Sequence, residues 1–207
     1  LFGMTVGAIA GYYGRWIDAL ISRFIEFMLI LPQLPLLLIL SAMLISNPNL
    51  VPVPGIVKFT LSKIMLISER EAHQAATVIF VLVIFGWLNS ARLMRGMVLS
   101  LREMDFAEAL RALGASDARI IFRHMIPNAL APIIVNASLA LGGFIVLEAA
   151  LGFLGFGIQE PTATWGNMLA ASQSFMFEQS WMPLIPGIPI FLCSLAFNYI
   201  GDGLRDA

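Results

Sequence analysis

The chain has 207 residues, of which 59 % are hydrophobic and 12 % are Asp, Glu, Lys or Arg, where a soluble globular domain carries about 25 % charged residues. Mean hydropathy is +0.87, which excludes an ordinary water-soluble domain and makes lipid the solvent for much of the chain. The net charge of -1 excludes the basic face that nucleic-acid binding demands.

In chain order, five membrane segments can be drawn, over residues 1–12, 27–45, 75–93, 129–156 and 182–200. The complete ones approach the ~20 residues that cross ~30 Å of hydrocarbon. Their backbone must be helical, because an unpaired amide in lipid is too costly. The expected fold is an all-α, polytopic membrane protein. The opening stretch LFGMTVGAIAGYYG has neither a charged n-region nor an initiator Met. It reads as a truncated start inside a membrane helix, not as a signal peptide. Pro32 and Pro35 lie near the start of the second segment, and Pro183, Pro186 and Pro189 lie in the first turns of the fifth. Pro183 suits a helix start, and the other two imply a kinked or irregular one. Cys193, alone in the apolar run IPIFLCSLAF, reads as a small buried hydrophobe.

Basic residues orient the spans. Arg15, Arg23, Arg92, Arg95, Arg102, Arg111, Arg119, Arg123 and Arg205 fall on one side, against Lys58, Lys63 and Arg70 on the other. Nine against three makes the first side cytoplasmic. The external loop 46–74 opens with the turn-rich SNPNLVPVPG and continues as IVKFTLSKIMLI. That run is either an amphipathic helix at the interface or a simple packed loop. In the second external loop, 159–181, residues 167–175 read as a short, partly re-entrant helix, with Trp165 and Trp181 at the interface.

The most informative segment is the cytoplasmic SLREMDFAEALRALGASDARIIFRHMIPNALAP. Asp105 and Glu108 have capping-box spacing, predicting a helix over 106–113 that Gly114 ends. Ser116, after Ala115, is placed to cap a second helix over 117–125, with Asp117 favourable in its first turn. Pro127 lies beyond it. Such a helix–glycine–helix unit between two spans is either a docking handle, helped by small Ala107, Ala109 and Ala112, or an ordinary hairpin on the membrane surface. Glu148, in GGFIVLEAALGFLG, is expensive in lipid and must face protein or a water-filled path. Asn136 and Ser138, earlier on the same span, are further path candidates. Gly142, Gly143, Gly152, Gly155 and Gly157 read as packing positions. No phosphate-binding Gly-x-x-x-x-Gly-Lys-Ser/Thr motif is present, so ATP hydrolysis by the chain itself is not expected. His73 and His124 fall on opposite sides of the membrane and cannot share a metal.

The segment 105–127 resembles the cytoplasmic loop of permease subunits in binding-protein-dependent ABC importers. The family pattern is Glu-Ala-Ala, three residues, Gly, nine residues, Ile, one residue, Leu-Pro. Glu108 and Ala109 match its first two positions, and Leu110 replaces the second alanine. Gly114 falls at the glycine, His124 at the isoleucine, Ile126 at the leucine and Pro127 at the proline. GYYGRWIDALISRFIEFMLILPQLPLLLIL, EAALGFLGFGIQEPTATWGNML and LAFNYIGDGLRDA are similar to the second permease type of the dipeptide, oligopeptide and nickel branch. The resemblance covers most of the chain and is weakest over 47–74. It implies a type I importer transmembrane domain over 1–207, with five spans of six, in a prokaryotic plasma membrane. It also implies a second permease subunit, a solute-binding protein outside, and two ATPase subunits that bind ATP and Mg and receive the 105–127 coupling segment. Peptide is the first expectation for the solute, nickel or another small solute of the branch the alternative. A non-transporting membrane scaffold with a docking hairpin is the alternative of a different class.

Overall fold

The computed structural model describes residues 1–47, 50 and 53–206, and among them the chain is helical with no strand. The helices are α1 (Phe2–Tyr13), α2 (Arg15–Ile30), α3 (Gln33–Ser46), α4 (Gly55–Met65), α5 (Glu69–Leu101), α6 (Asp105–Ala112) and α7 (Asp117–Arg119). A π-helical stretch, Ile120–Met125, leads into α8 (Ile126–Asn128), α9 (Leu130–Phe153), α10 (Trp165–Ser172) and α11 (Leu184–Asp206). Among the described residues α5, α9 and α11 are each long and apolar enough to cross a membrane, and α2 with α3 makes a fourth crossing if taken as one bent span.

That bend corrects the second segment, expected as one helix over 27–45. The chain leaves helical geometry at Leu31 (φ -65°, ψ 136°), because the ring of Pro32 pushes its predecessor out of the α region. Pro35 is tolerated in the first turn of α3. In α11 Pro189 sits inside the helix, where it cannot donate an amide to the preceding turn. The part of SNPNLVPVPG at 48, 49, 51 and 52 lies outside the described residues. After it, α4 is helical and buries no residue, with Ile56, Phe59 and Ile64 exposed.

The chain divides into two units. The first comprises 1–32, 85–138 and 201–207. Its core is Ala8, Met94, Val98, Ala107, Ile120, Ile121, Met125, Ala129 and Ile133, so the 105–127 segment shares a core with α1 and α5. The pairing of α1 with α5 follows from spacing. Gly3, Gly7 and Gly11 recur every fourth residue and line one face of α1. A Cβ on Gly3 would collide with the carbonyl oxygen of Trp87, and one on Gly7 with that of Ala91. On Gly11 it would come within 2.8 Å of the Arg95 carbonyl. The two backbones therefore touch along a small-residue stripe, the packing that substitutes in lipid for hydrophobic driving force. Beyond this contact Arg95 ties α5 to α2 with a bidentate pair to Asp18, Nη2 donating to Oδ2 at 2.6 Å and Nε donating to Oδ1.

The second unit comprises 33–84 and 139–200. The expected short helix over 167–175 is present as α10 and one further 3-10 turn, Gln173–Phe175. Thr164 and Asn167 cap α10 reciprocally: the Asn167 amide donates to Thr164 Oγ1 (3.2 Å) and the Thr164 amide to Asn167 Oδ1 (2.9 Å). Gly142 and Gly152 act as packing positions. A Cβ on Gly152 would lie 2.9 Å from Gly166 Cα, and one on Gly142 3.0 Å from the Ser194 carbonyl, so α9 approaches α10 and α11 closely there.

Candidate functional site

The segment 105–127 is built from local rules. Its first helix is α6, and the chain turns at Gly114, whose φ is +75°. The amide of Ala115 donates to the Leu110 carbonyl (3.0 Å) and that of Gly114 to Arg111 (2.9 Å). These are the two bonds of a Schellman motif, which requires the left-handed residue that glycine supplies at no steric cost. Space is open around Gly114, with no atom within 4 Å of an added Cβ. The demand for glycine is therefore conformational, not steric.

Two capping expectations are corrected. The N-cap of α6 is Met104, extended at φ -81° and ψ 151°, with no side-chain cap bond. The chain leaves α5 through tight turns in which the Glu103 amide reaches the Ser100 carbonyl and the Met104 amide that of Leu101. Helix α6 therefore starts one residue early. Asp105 and Glu108 lie in its first turn, where their charge favours the positive end of the helix dipole, instead of closing a capping box. Ser116 is the N-cap of α7 by position, but its side chain makes no cap bond. The second helix is also not one α-helix: after α7 it widens to π geometry over Ile120–Met125. Pro127 then falls at the second residue of α8, in helical backbone that continues from Met125 (φ -74°, ψ -50°), where it donates no amide to the preceding turn.

One face of this unit is fixed and the other is free. Ala107 is fully buried, and Phe106, Leu110, Ala115 and Ile126 pack against the shared core, which accounts for apolar residues at 110 and 126. Glu108, Ala109, Ala112 and Gly114 are exposed on the free face, as are Arg119 and Arg123, while the exposed Arg111 and Asp117 reach back to α1. Leu113 is 84 % exposed and Phe122 53 %, so the free face carries apolar as well as charged groups. His124 is half-buried, with its carbonyl accepting from Asn128 Nδ2 at 2.7 Å.

The attachment to α1 is polar. The Tyr12 hydroxyl donates to Asp117 Oδ1 at 2.8 Å, and the Arg111 guanidinium stands 5.7 Å from the centre of the Tyr12 ring, within cation–π range. Arg102 Nη1 donates to the Gly11 carbonyl at 3.0 Å, satisfying an end carbonyl of α1 with a cation where the helix dipole is negative. Arg111 Nη2 in turn donates to the Arg102 carbonyl at 3.2 Å. Tyr12, Arg95 and Arg102 are not identifiable as site residues from spacing, because their partners lie 105, 77 and 91 residues away. The glycine period of α1 is a signal that could have been read.

The path candidates share α9 but not a location. Asn136 borders an open groove of about 450 Å³ with Asn89, Arg92 and Gly96. The Ser138 hydroxyl donates to the Ile134 carbonyl at 3.1 Å, within its own helix. Glu148 lies a further three turns along, about 18 Å from Asn136 by helical rise and roughly 120° around the axis. Its Oε1 is buried and has no hydrogen-bond partner among the described residues.

The chain matches, over residues 3–207, the family model described as binding-protein-dependent transport system inner membrane component. It is 45 % identical over 207 residues to a dipeptide transport system permease protein of Alkalihalophilus pseudofirmus, covering 100 % of this chain and 59 % of that protein. To a putative peptide permease protein of Brucella ovis it is 36 % identical over 99 % of this chain and 60 % of that one. To an oligopeptide transport system permease protein of Mycobacterium tuberculosis it is 34 % identical over 98 % of this chain and 61 % of that one. The chain thus spans about three fifths of the length of the curated relatives it matches.

Proposed function

This chain belongs to the family of binding-protein-dependent transport system inner membrane components, and we propose that it is the permease subunit through which an ATP-driven importer passes short peptides. A second permease subunit completes the path. Two ATPase subunits, holding ATP and Mg, bind at the cytoplasmic face, and a solute-binding protein delivers the peptide outside. The names of the relatives support peptide as the solute.

The observation that carries the coupling role is the two-faced build of 105–127. Its inner face is locked into the core of α1 and α5, and its outer face presents Leu113 and Phe122 among charges. A rigid element with an uncommitted surface can receive force at one face and deliver it at the other. Closure of the ATPase pair pushes on the outer face, and the Tyr12–Asp117 and Arg102–Gly11 contacts carry the displacement to α1. In a reconstituted importer, Leu113→Asp is expected to reduce co-purification of the ATPase subunits while leaving peptide binding to the solute-binding protein unchanged. Full ATPase recovery with wild-type uptake would remove the segment from the interface.

A further inference from the structure

The second unit contains a cavity of about 900 Å³ where the start of α5 meets α4, the end of α3 and the loop after α9. Small-ligand sites occupy ~300–1,000 Å³, so the size suits a short peptide. The lining includes Lys58 from α4, Glu69 and Arg70 from α5, and Gln159 and Glu160 from the loop. The positive-inside asymmetry puts both contributing loops on the external side, where solute arrives. The two walls are tied together: the Gln159 amide donates to Gln74 Oε1 at 3.4 Å.

The charges of this cavity are not consumed internally. Glu71 is, since its Oε2 accepts from the Ser68 amide at 2.7 Å. Among the described residues, however, Lys58, Glu69, Arg70 and Glu160 form no ion pair. Lys58 is half-buried, and a partly desolvated ammonium facing a cavity is complemented by an anion. Charges of both signs left open around one concavity match a ligand that carries both signs itself.

We propose that this cavity is a receiving pocket for zwitterionic short peptides, with Lys58 and Arg70 taking the C-terminal carboxylate and Glu69 and Glu160 the N-terminal ammonium. The inference rests on the peptide-import reading, and its test separates the two. The full-length permease–ATPase complex, solubilised without its binding protein, is titrated with radiolabelled trialanine and with trialanine amide. The expected result is saturable binding that prefers the free acid. Lys58→Gln weakens trialanine binding about 10-fold, the scale of one charge-assisted hydrogen bond, and narrows the preference over the amide, which Lys58→Gln with Arg70→Gln abolishes. Glu69→Gln with Glu160→Gln weakens both ligands alike and removes the preference over N-acetyl-trialanine. Size-exclusion profiles matching wild type verify that the variants are assembled.

If the complete importer takes up trialanine in proteoliposomes but the solubilised complex shows no saturable binding, the pocket is overturned and peptide import stands. The pocket is equally overturned if the variants bind trialanine like wild type, including the case in which they lose only affinity for the binding protein and so mark a docking face. If the complete importer takes up no peptide, the import reading fails and the inference fails with it.

Discussion

Gly114 concentrates the chemistry of the 105–127 segment in one torsion angle. Its φ of +75° is inaccessible to a β-branched residue without strain of about 1–3 kcal/mol, while asparagine visits that region. The open space around it means that side-chain volume is not the obstacle. Gly114→Val is therefore expected to uncouple ATP hydrolysis from uptake, and Gly114→Asn to retain most of the coupling. Glu108 carries a smaller expectation, because it makes no cap bond: Glu108→Ala forfeits only a first-turn charge, worth about 0.3–1 kcal/mol, and any larger loss of ATPase binding reports its outward face. Tyr12→Phe deletes the hydroxyl bond to Asp117 and keeps the ring. It should lower stability by about 1 kcal/mol, read as a fall in thermal unfolding temperature, and should lower uptake per ATP more than it lowers ATP turnover. Unchanged uptake per ATP would take Tyr12 out of the transmission route. At Glu148, whose Oε1 is buried without a described partner, Glu148→Gln is expected to preserve uptake by keeping an acceptor of the same shape. Glu148→Leu should reduce it, and wild-type uptake in both variants would make the carboxylate dispensable.

At the scale of elements, α1 and α5 depend on backbone contact. Gly7→Val places a branched side chain where even a Cβ collides with the Ala91 carbonyl, and the helices must separate or shift. The expected outcome is loss of assembled complex on size-exclusion chromatography, whereas Gly96→Ala, with nothing near its Cβ, leaves assembly intact. Elements are legible from sequence where their signals are local. Gly114 and the position of Ser116 are readable because turn and cap chemistry reside in neighbouring residues, and α10 is readable from its apolar run. The capping-box spacing at Asp105 misleads because the start of α6 is set by how α5 ends, at Ser100 and Leu101. The break at Pro32 has a local signal in Pro32 itself, but a span drawn over 27–45 by hydropathy runs through it. Hydropathy registers lipid exposure and is blind to a residue whose predecessor must turn extended. The Tyr12–Asp117 bond spans 105 residues, and no local pattern encodes it.

For the whole molecule, the exposed apolar surface is the main constraint. The most apolar stretches of α9 and α11 are only 11 % buried within the chain, with Val146 and Leu141 of α9 and Phe191 and Leu192 of α11 exposed. Apolar surface of that extent calls for lipid around it, and in the proposed function a second permease subunit covers part of it. The orientation is checked by labelling single cysteines from outside intact cells, in a background with Cys193 replaced. Ala163→Cys, at an exposed position of the second external loop, should label, and Ser116→Cys should not. In the proposed function segment 105–127 converts ATP turnover into peptide movement, and peptide uptake per ATP hydrolysed in proteoliposomes holding the complete importer reads that conversion. The measurement compares wild type, Gly114→Val and Gly114→Asn at equal subunit stoichiometry. The ratio is expected to collapse for valine, with ATP hydrolysis continuing, and to recover for asparagine. A wild-type ratio in the valine variant would contradict that role of the segment.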